Sequence, residues 1–185
     1  RLGRKGRKAY IPRGLQEGAR KLIQEVMVIT IAITVAFMML CFATDLRERM
    51  IYAFPCMTLI ALWTVLGVIS TGQYMLIGIA VSVHLAIYFA LKIIGIWGDG
   101  DSDVFLLYGI IFMTMMLTDK YEIGVTMYII LELIGMVFAL LVSFVVALIE
   151  AKIKGQKLTK KSSVAVVPGF AVVIVLMVMK MVFWR

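Results

Sequence analysis

Four aspartates, Asp45, Asp99, Asp101 and Asp103, stand at the ends of long apolar runs in a 185-residue chain of which only 16% is charged. An ionisable side chain at the edge of hydrocarbon is costly, so its presence there needs a reason. Two carboxyl groups brought to one point from separate helices can share a single proton, one acting as base on a water and the other as acid on a carbonyl oxygen. Such a pair hydrolyses an amide with neither a metal nor a nucleophilic side chain. The alternation of Asp99, Asp101 and Asp103 also suggests calcium, but the twelve-residue loop template fails, because Val104 takes its glycine position and Ile110 its final glutamate position. Two more titratable groups lie inside apolar runs. His84, the single histidine, reads as a packed or hydrogen-bonded bundle residue. Glu132 reads either as functional or as neutral and paired with a polar group across the bundle.

The elements that must carry these groups are membrane helices. With 63% hydrophobic residues the composition lies far outside that of soluble domains. Six apolar segments can be marked, at 22–44, 53–70, 74–97, 104–117, 123–149 and 164–184. Each approaches or exceeds the length that crosses about 30 Å of hydrocarbon as a helix, and none alternates as a membrane barrel strand would. The expected fold is all-α, a polytopic bundle of about six transmembrane helices. Residues 1–21 form a basic juxtamembrane segment and 22–185 the membrane domain. Gly78, Gly109, Gly124 and Gly135 are the expected points of close helix approach. The 14 methionines, Met113, Met115 and Met116 among them, supply adaptable packing. Cys41 and Cys56 give neither a disulfide framework nor a CxxC zinc pair.

With six crossings, the turns after segments one, three and five share a side. That side receives Arg47, Arg49 and the lysines 152, 154, 157, 160 and 161, against Lys120 alone opposite, a seven-to-one bias that makes it cytoplasmic. The eight basic residues within positions 1–21 then fall on the other side. Three accounts stay open: a further crossing before Arg1, an amphipathic interfacial segment at 1–21, or a segment count off by one. Basic clusters beside apolar segments serve orientation and lipid headgroups, and no soluble basic fold accompanies them, so nucleic acid is not an expected partner.

Asp45-Leu46-Arg47-Glu48-Arg49-Met50-Ile51 resembles the D-x-R-x-x-x-I-P-N motif of prepilin peptidases, with Tyr52-Ala53 in place of Pro-Asn. Gly98-Asp99-Gly100-Asp101 resembles that family's G-x-G-D, with Asp103 where a lysine follows in the family. Val166-Val167-Pro168-Gly169-Phe170 loosely resembles its Pro-Phe-Gly-Pro region. The likeness, closest to the short Flp-type and preflagellin forms, implies an intramembrane aspartyl endopeptidase without a cofactor. It implies a multi-pass protein of a prokaryotic cell membrane that removes the basic leader of a prepilin or pseudopilin substrate helix at the cytoplasmic face. Asp45 and Asp101 are then the catalytic pair, supported by Arg47, Gly98 and Gly100, with Asp99 and Asp103 as auxiliary charges. A register shifted by two, in which Asp103-Val104-Phe105-Leu106 matches the family's D-V-K-L, makes Asp103 the second catalytic residue instead. The cysteine-bearing domain of relatives that also methylate their product is not among these residues, so peptidase activity alone is expected. Two other classes stand beside this reading: a small ion-coupled transporter using Asp45, Glu132 and the Asp loop, and a metal-dependent lipid-phosphate transferase using the Asp cluster.

Overall fold

The computed structural model describes residues 13–48, 51–95, 98–118, 125–155 and 165–183. They form six helices: α1 (Arg13–Glu48), α2 (Ala53–Thr71), α3 (Tyr74–Ile94), α4 (Asp99–Thr118), α5 (Val125–Ile153) and α6 (Val167–Phe183). Five are long and apolar enough to cross a membrane. α6, equally apolar, has 17 residues and is about 26 Å long. The protein is a multi-pass helical membrane bundle.

Two helices start earlier than the apolar runs do. α1 is one continuous helix of 36 residues, about 54 Å, and so projects well beyond the bilayer. Residues 13–21 therefore continue the first helix instead of lying as a separate interfacial segment. Leu15, Gln16, Ala19, Arg20 and Lys21 are strong helix formers, and the helix continues through Gly18. The remainder of the basic segment, 1–12, lies outside the described residues. α4 begins at Asp99, so the Asp-Gly-Asp-Ser-Asp stretch is its first turn and not a loop. α2 and α3 each end on a glycine, Gly72 and Gly95, in the left-handed region at φ 69° and 70°.

Three helices bury only a stripe. α1 turns Met27, Ile31, Thr34, Met38, Cys41 and Asp45 inward, a spacing of three and four that keeps them on one face. α2 does so with Cys56, Leu59, Trp63 and Leu66, and α3 with Ile77, Ala80, His84 and Tyr88. Their other faces carry exposed residues such as Ile33, Val65 and Ile79, which meet lipid. α4 differs, being enclosed over 78% of its span, against 11% for α5. The least apolar of the five long helices is thus the one surrounded by protein, and the most apolar is the one surrounded by lipid, as solvation in hydrocarbon demands. α4 packs on α2, α3, α5 and α6, while α1 packs on α2 and α6.

Small residues and a few polar contacts fix the helices in register. Trp63 Nε1 on α2 donates to Thr34 Oγ1 on α1 at 2.9 Å, and the Thr34 hydroxyl donates in turn to the Thr30 carbonyl at 2.7 Å. The start of α6 lies on α5, where Ser143 Oγ donates to the Val166 carbonyl at 2.7 Å and accepts from the Gly169 N–H at 3.0 Å. Gly169 has no room for a Cβ against the Ala139 carbonyl, Gly109 none against the His84 ring, and Gly135 little against the Tyr108 hydroxyl. Gly78, expected at such a contact, instead faces lipid with nothing within 4 Å of its Cβ position, and Gly67 against Thr114 takes that role. Gly124 lies outside the described residues.

Candidate active site

Asp45 continues the inward stripe of α1 one turn beyond Cys41, and it is only 5% exposed. Arg47, two residues on, points outward and sits in the last turn of α1, where a cation complements the helix dipole. Thus the first motif divides by helical geometry into a buried acid and a solvated base.

The second motif enters from α4. Gly98 precedes the helix, and its carbonyl accepts from the Ser102 N–H at 3.2 Å and from Ser102 Oγ at 3.1 Å, which ties the first turn together. Asp101 is half-buried, and a Cβ on Gly98 would lie 3.5 Å from its Oδ2, so this carboxylate folds back over the helix start. That is where a negative charge at the third helical position meets the exposed N–H groups of the first turn. Asp103 is 4% exposed. Positions two apart on a helix are separated by about 200° around the axis, so Asp101 and Asp103 address different surroundings. The structure therefore holds two buried aspartates among the described residues, Asp45 and Asp103, with Asp101 at the rim. The side chain of Asp99 lies outside the described residues.

Cys41, one turn before Asp45 on the inward face of α1, and Cys56 on α2 are both fully enclosed and belong to the same core as Val104 and Phe105, the residues that follow Asp103 on α4. α1 and α4 do not pack directly on each other among the described residues; both pack on α2 and α6, and their buried apolar residues belong to one core. Among the described residues no three His, Cys, Asp or Glu side chains are gathered as a metal site requires.

The two motifs also touch directly. Gly100 lies under Ile51, and a Cβ at position 100 would come within 2.6 Å of Ile51 Cδ1 and 2.8 Å of its Cβ. Glycine here lets the chain following Asp45 rest on the first turn of α4. A cleft of about 280 Å³ at the same end sets Leu46 beside Ile153, the last residue of α5, and Lys154 just after it. The ends of α1 and α5 and the start of α4 therefore form one face of the bundle.

A second polar group occupies the middle of the bundle. His84 Nε2 is hydrogen-bonded to Glu132 Oε1, and His84 Nδ1 lies 2.8 Å from the Ala80 carbonyl. A carbonyl only accepts, so Nδ1 donates to Ala80, and the other ring nitrogen and the carboxyl satisfy each other at a depth where a lone polar group is costly. Tyr108 donates to the Glu132 carbonyl at 2.7 Å. Of the two readings of Glu132, the structure shows a carboxyl paired across the bundle. Its partner is the histidine expected to be packed or hydrogen-bonded. No sequence signal joined the two, because 48 residues separate them.

Comparison with known proteins returns no matching family model, no matching curated protein and no matching solved structure.

Proposed function

We propose that the protein is an intramembrane aspartyl endopeptidase of the prepilin peptidase type, with Asp45 and Asp103 as the catalytic pair. The observation that carries this reading is that the two aspartates buried among the described residues, Asp45 and Asp103, flank the contact in which Ile51, six residues after Asp45, rests on Gly100, three residues before Asp103. Of the two registers open in the sequence, burial favours Asp103, since a pair sharing one proton needs surroundings in which full ionisation of both carboxyls is costly. Asp101 serves the helix start.

In this mechanism the ionised carboxylate takes a proton from water, and the hydroxide oxygen bonds to the carbonyl carbon. The protonated carboxyl gives its proton to the carbonyl oxygen, forming a gem-diol. The pair's remaining proton then passes to the amide nitrogen, the C–N bond breaks, and one gem-diol hydroxyl returns its proton to the pair, which ends as it began, with one proton. Which carboxyl starts as base belongs to the pair and not to either residue. The substrate is a prepilin-like helix with a basic leader. The face carrying Arg47, Lys152 and Lys154 is cytoplasmic, by its share of basic residues, in a prokaryotic cell membrane.

The test is cleavage of a prepilin carrying a basic leader and a glycine before its apolar segment. Asp45→Asn and Asp103→Asn each keep the side-chain size and remove the ionisation, so each lowers cleavage by about three orders of magnitude or more, and the double variant is hardly worse. Asp101→Asn keeps most activity. If Asp101→Asn is inactive while Asp103→Asn cleaves normally, the pair is Asp45 with Asp101; a fully active Asp45→Asn removes the aspartyl mechanism.

A further inference from the structure

The face of α1 that turns away from the bundle carries a pattern of its own. Ala19, Leu22, Val26, Ile29, Ile33 and Ala36 follow one another at intervals of three and four, and all are exposed, Leu22 by 60% and Ile29 by 59%. Positions 29, 33 and 36 each lie two beyond the inward-facing 27, 31 and 34, about 200° further around the axis and so on the opposite side. Leucines at 15 and 40 extend the same spacing to more than three heptads. α1 packs on α2 and α6, and among the described residues nothing covers its outer face.

Within the membrane such a stripe selects nothing, because every outward position there is apolar. Its informative part projects. Met27 is the first buried residue of α1, and residues 17–26, about 15 Å of helix, are exposed except for half-buried Ile23 on the inner face. Counted back about 20 residues from Asp45 at the other end, this stretch lies beyond the hydrocarbon. The outer stripe stays apolar there, at 19, 22 and 26, although Gln16, Glu17, Arg20, Lys21, Gln24 and Glu25 stand around it. Exposed apolar side chains among headgroups and water are stabilised by an apolar partner.

We propose that this partner is a second copy of the chain, packed back to back through α1 in a parallel two-stranded coil. Four features select it. An apolar repeat averaging 3.5 residues keeps a seam in contact with a second helix as the two supercoil. Two copies in one membrane run the same way, and a two-fold axis along the membrane normal sets each residue of the stripe opposite its own copy, so the two α1 helices meet parallel and in register. Val26 and Ile33 at one seam position with Leu22 at the other are the residue types of helix pairs, and Glu25 is the only charge at the flanking positions 16, 18, 23, 25, 30 and 32, so like charges do not line the seam. Over residues 19–40, about 33 Å of helix, such a pair hides on the order of 1,000 Å², the size at which specific interfaces begin. This inference is independent of the peptidase reading.

The test introduces cysteines one at a time along α1 of the full chain, reconstituted in liposomes at high lipid excess, with copper phenanthroline as oxidant. Leu22→Cys, Val26→Cys and Ile29→Cys are expected to give disulfide-linked dimers. Lys21→Cys and Val28→Cys, exposed but beside the seam, stay monomeric on denaturing gels, as does the parent with its buried Cys41 and Cys56. Ala19→Glu combined with Leu22→Glu would set four carboxylates on the seam of a pair, at positions that no other helix of the bundle covers. Mass photometry in nanodiscs should find two copies of the parent and one of this double variant, with the same helical circular dichroism. Equal cross-linking at all five cysteine positions, which marks random collision, overturns the proposal, and so does its absence at all five. A double variant that stays dimeric also overturns it, as does a monomeric parent, whose stripe would meet headgroups or another part of the same chain.

Discussion

Gly100→Ala tests whether the two acidic motifs are held together by the contact described above. Two opposing effects meet at this residue. Within the first turn of α4, alanine is favoured over glycine by about 0.5–1 kcal/mol. Against that, the new Cβ would stand 2.6 Å from Ile51 Cδ1, 2.8 Å from its Cβ and 3.0 Å from its Cγ1. Ordinary carbon contacts are about 3.5–4.0 Å. Rotation about χ1 moves the outer two carbons away, but the Ile51 Cβ moves only with its backbone, so the chain preceding α2 must lift. Overpacking of this kind costs about 1–3 kcal/mol, which leaves a net destabilisation of about 0–2 kcal/mol. In an Ile51→Gly background all three opposing carbons are gone, and the same substitution should stabilise by up to about 1 kcal/mol. The coupling energy of the cycle is therefore about 1–3 kcal/mol. Reversible unfolding of the four proteins in mixed micelles of rising SDS content, followed by far-ultraviolet circular dichroism, measures it. If Gly100→Ala stabilises equally in both backgrounds, residue 51 does not rest on α4 and the argument for convergent motifs fails. Prepilin cleavage by Gly100→Ala should fall by more than its stability loss accounts for, because a lifted Ile51 shifts the chain that follows Asp45.

Gly109→Ala should cost about 3–5 kcal/mol, since the added methyl displaces the His84 ring and breaks its bond to Glu132; in a His84→Ala background the cost should largely vanish in the same unfolding assay. Thr34→Val leaves the buried Trp63 N–H without its acceptor and should cost about 1–3 kcal/mol, whereas Thr34→Ser should cost under about 1 kcal/mol. Single cysteines at exposed Arg47 and Lys154 should react in intact cells only with membrane-permeant thiol reagents if the proposed topology, with both on the cytoplasmic face, holds; labelling of the two from opposite sides would end the peptidase reading.

Composition and segment length were enough to determine the class of fold, because in hydrocarbon a chain must satisfy its backbone internally and a 20-residue apolar run does so only as a helix. Local spacing also puts Asp45 on one helix face with positions 27, 31, 34, 38 and 41, but only the neighbouring helices make that face the inner one, since the opposite face is as apolar. What the sequence left open is what depends on the neighbours. The aspartates at 101 and 103 differ little as text, and the glycines of the motif favoured 101. Burial separates them only because α4 is enclosed from Ser102 onward while its first turn stays at the rim. The start of α4 itself was misread as a loop, since polar residues at a helix N-terminus lower the apolar signal without opposing the helix. Gly78 and Gly109 looked equivalent, and only the neighbouring helices decide that one meets lipid and the other the His84 ring. The pairing of His84 with Glu132 is likewise tertiary. Nothing along the chain links residues 48 positions apart, but the cost of an uncompensated charge at mid-membrane requires that each find a partner, and the packing of α3 and α5 around α4 determines which.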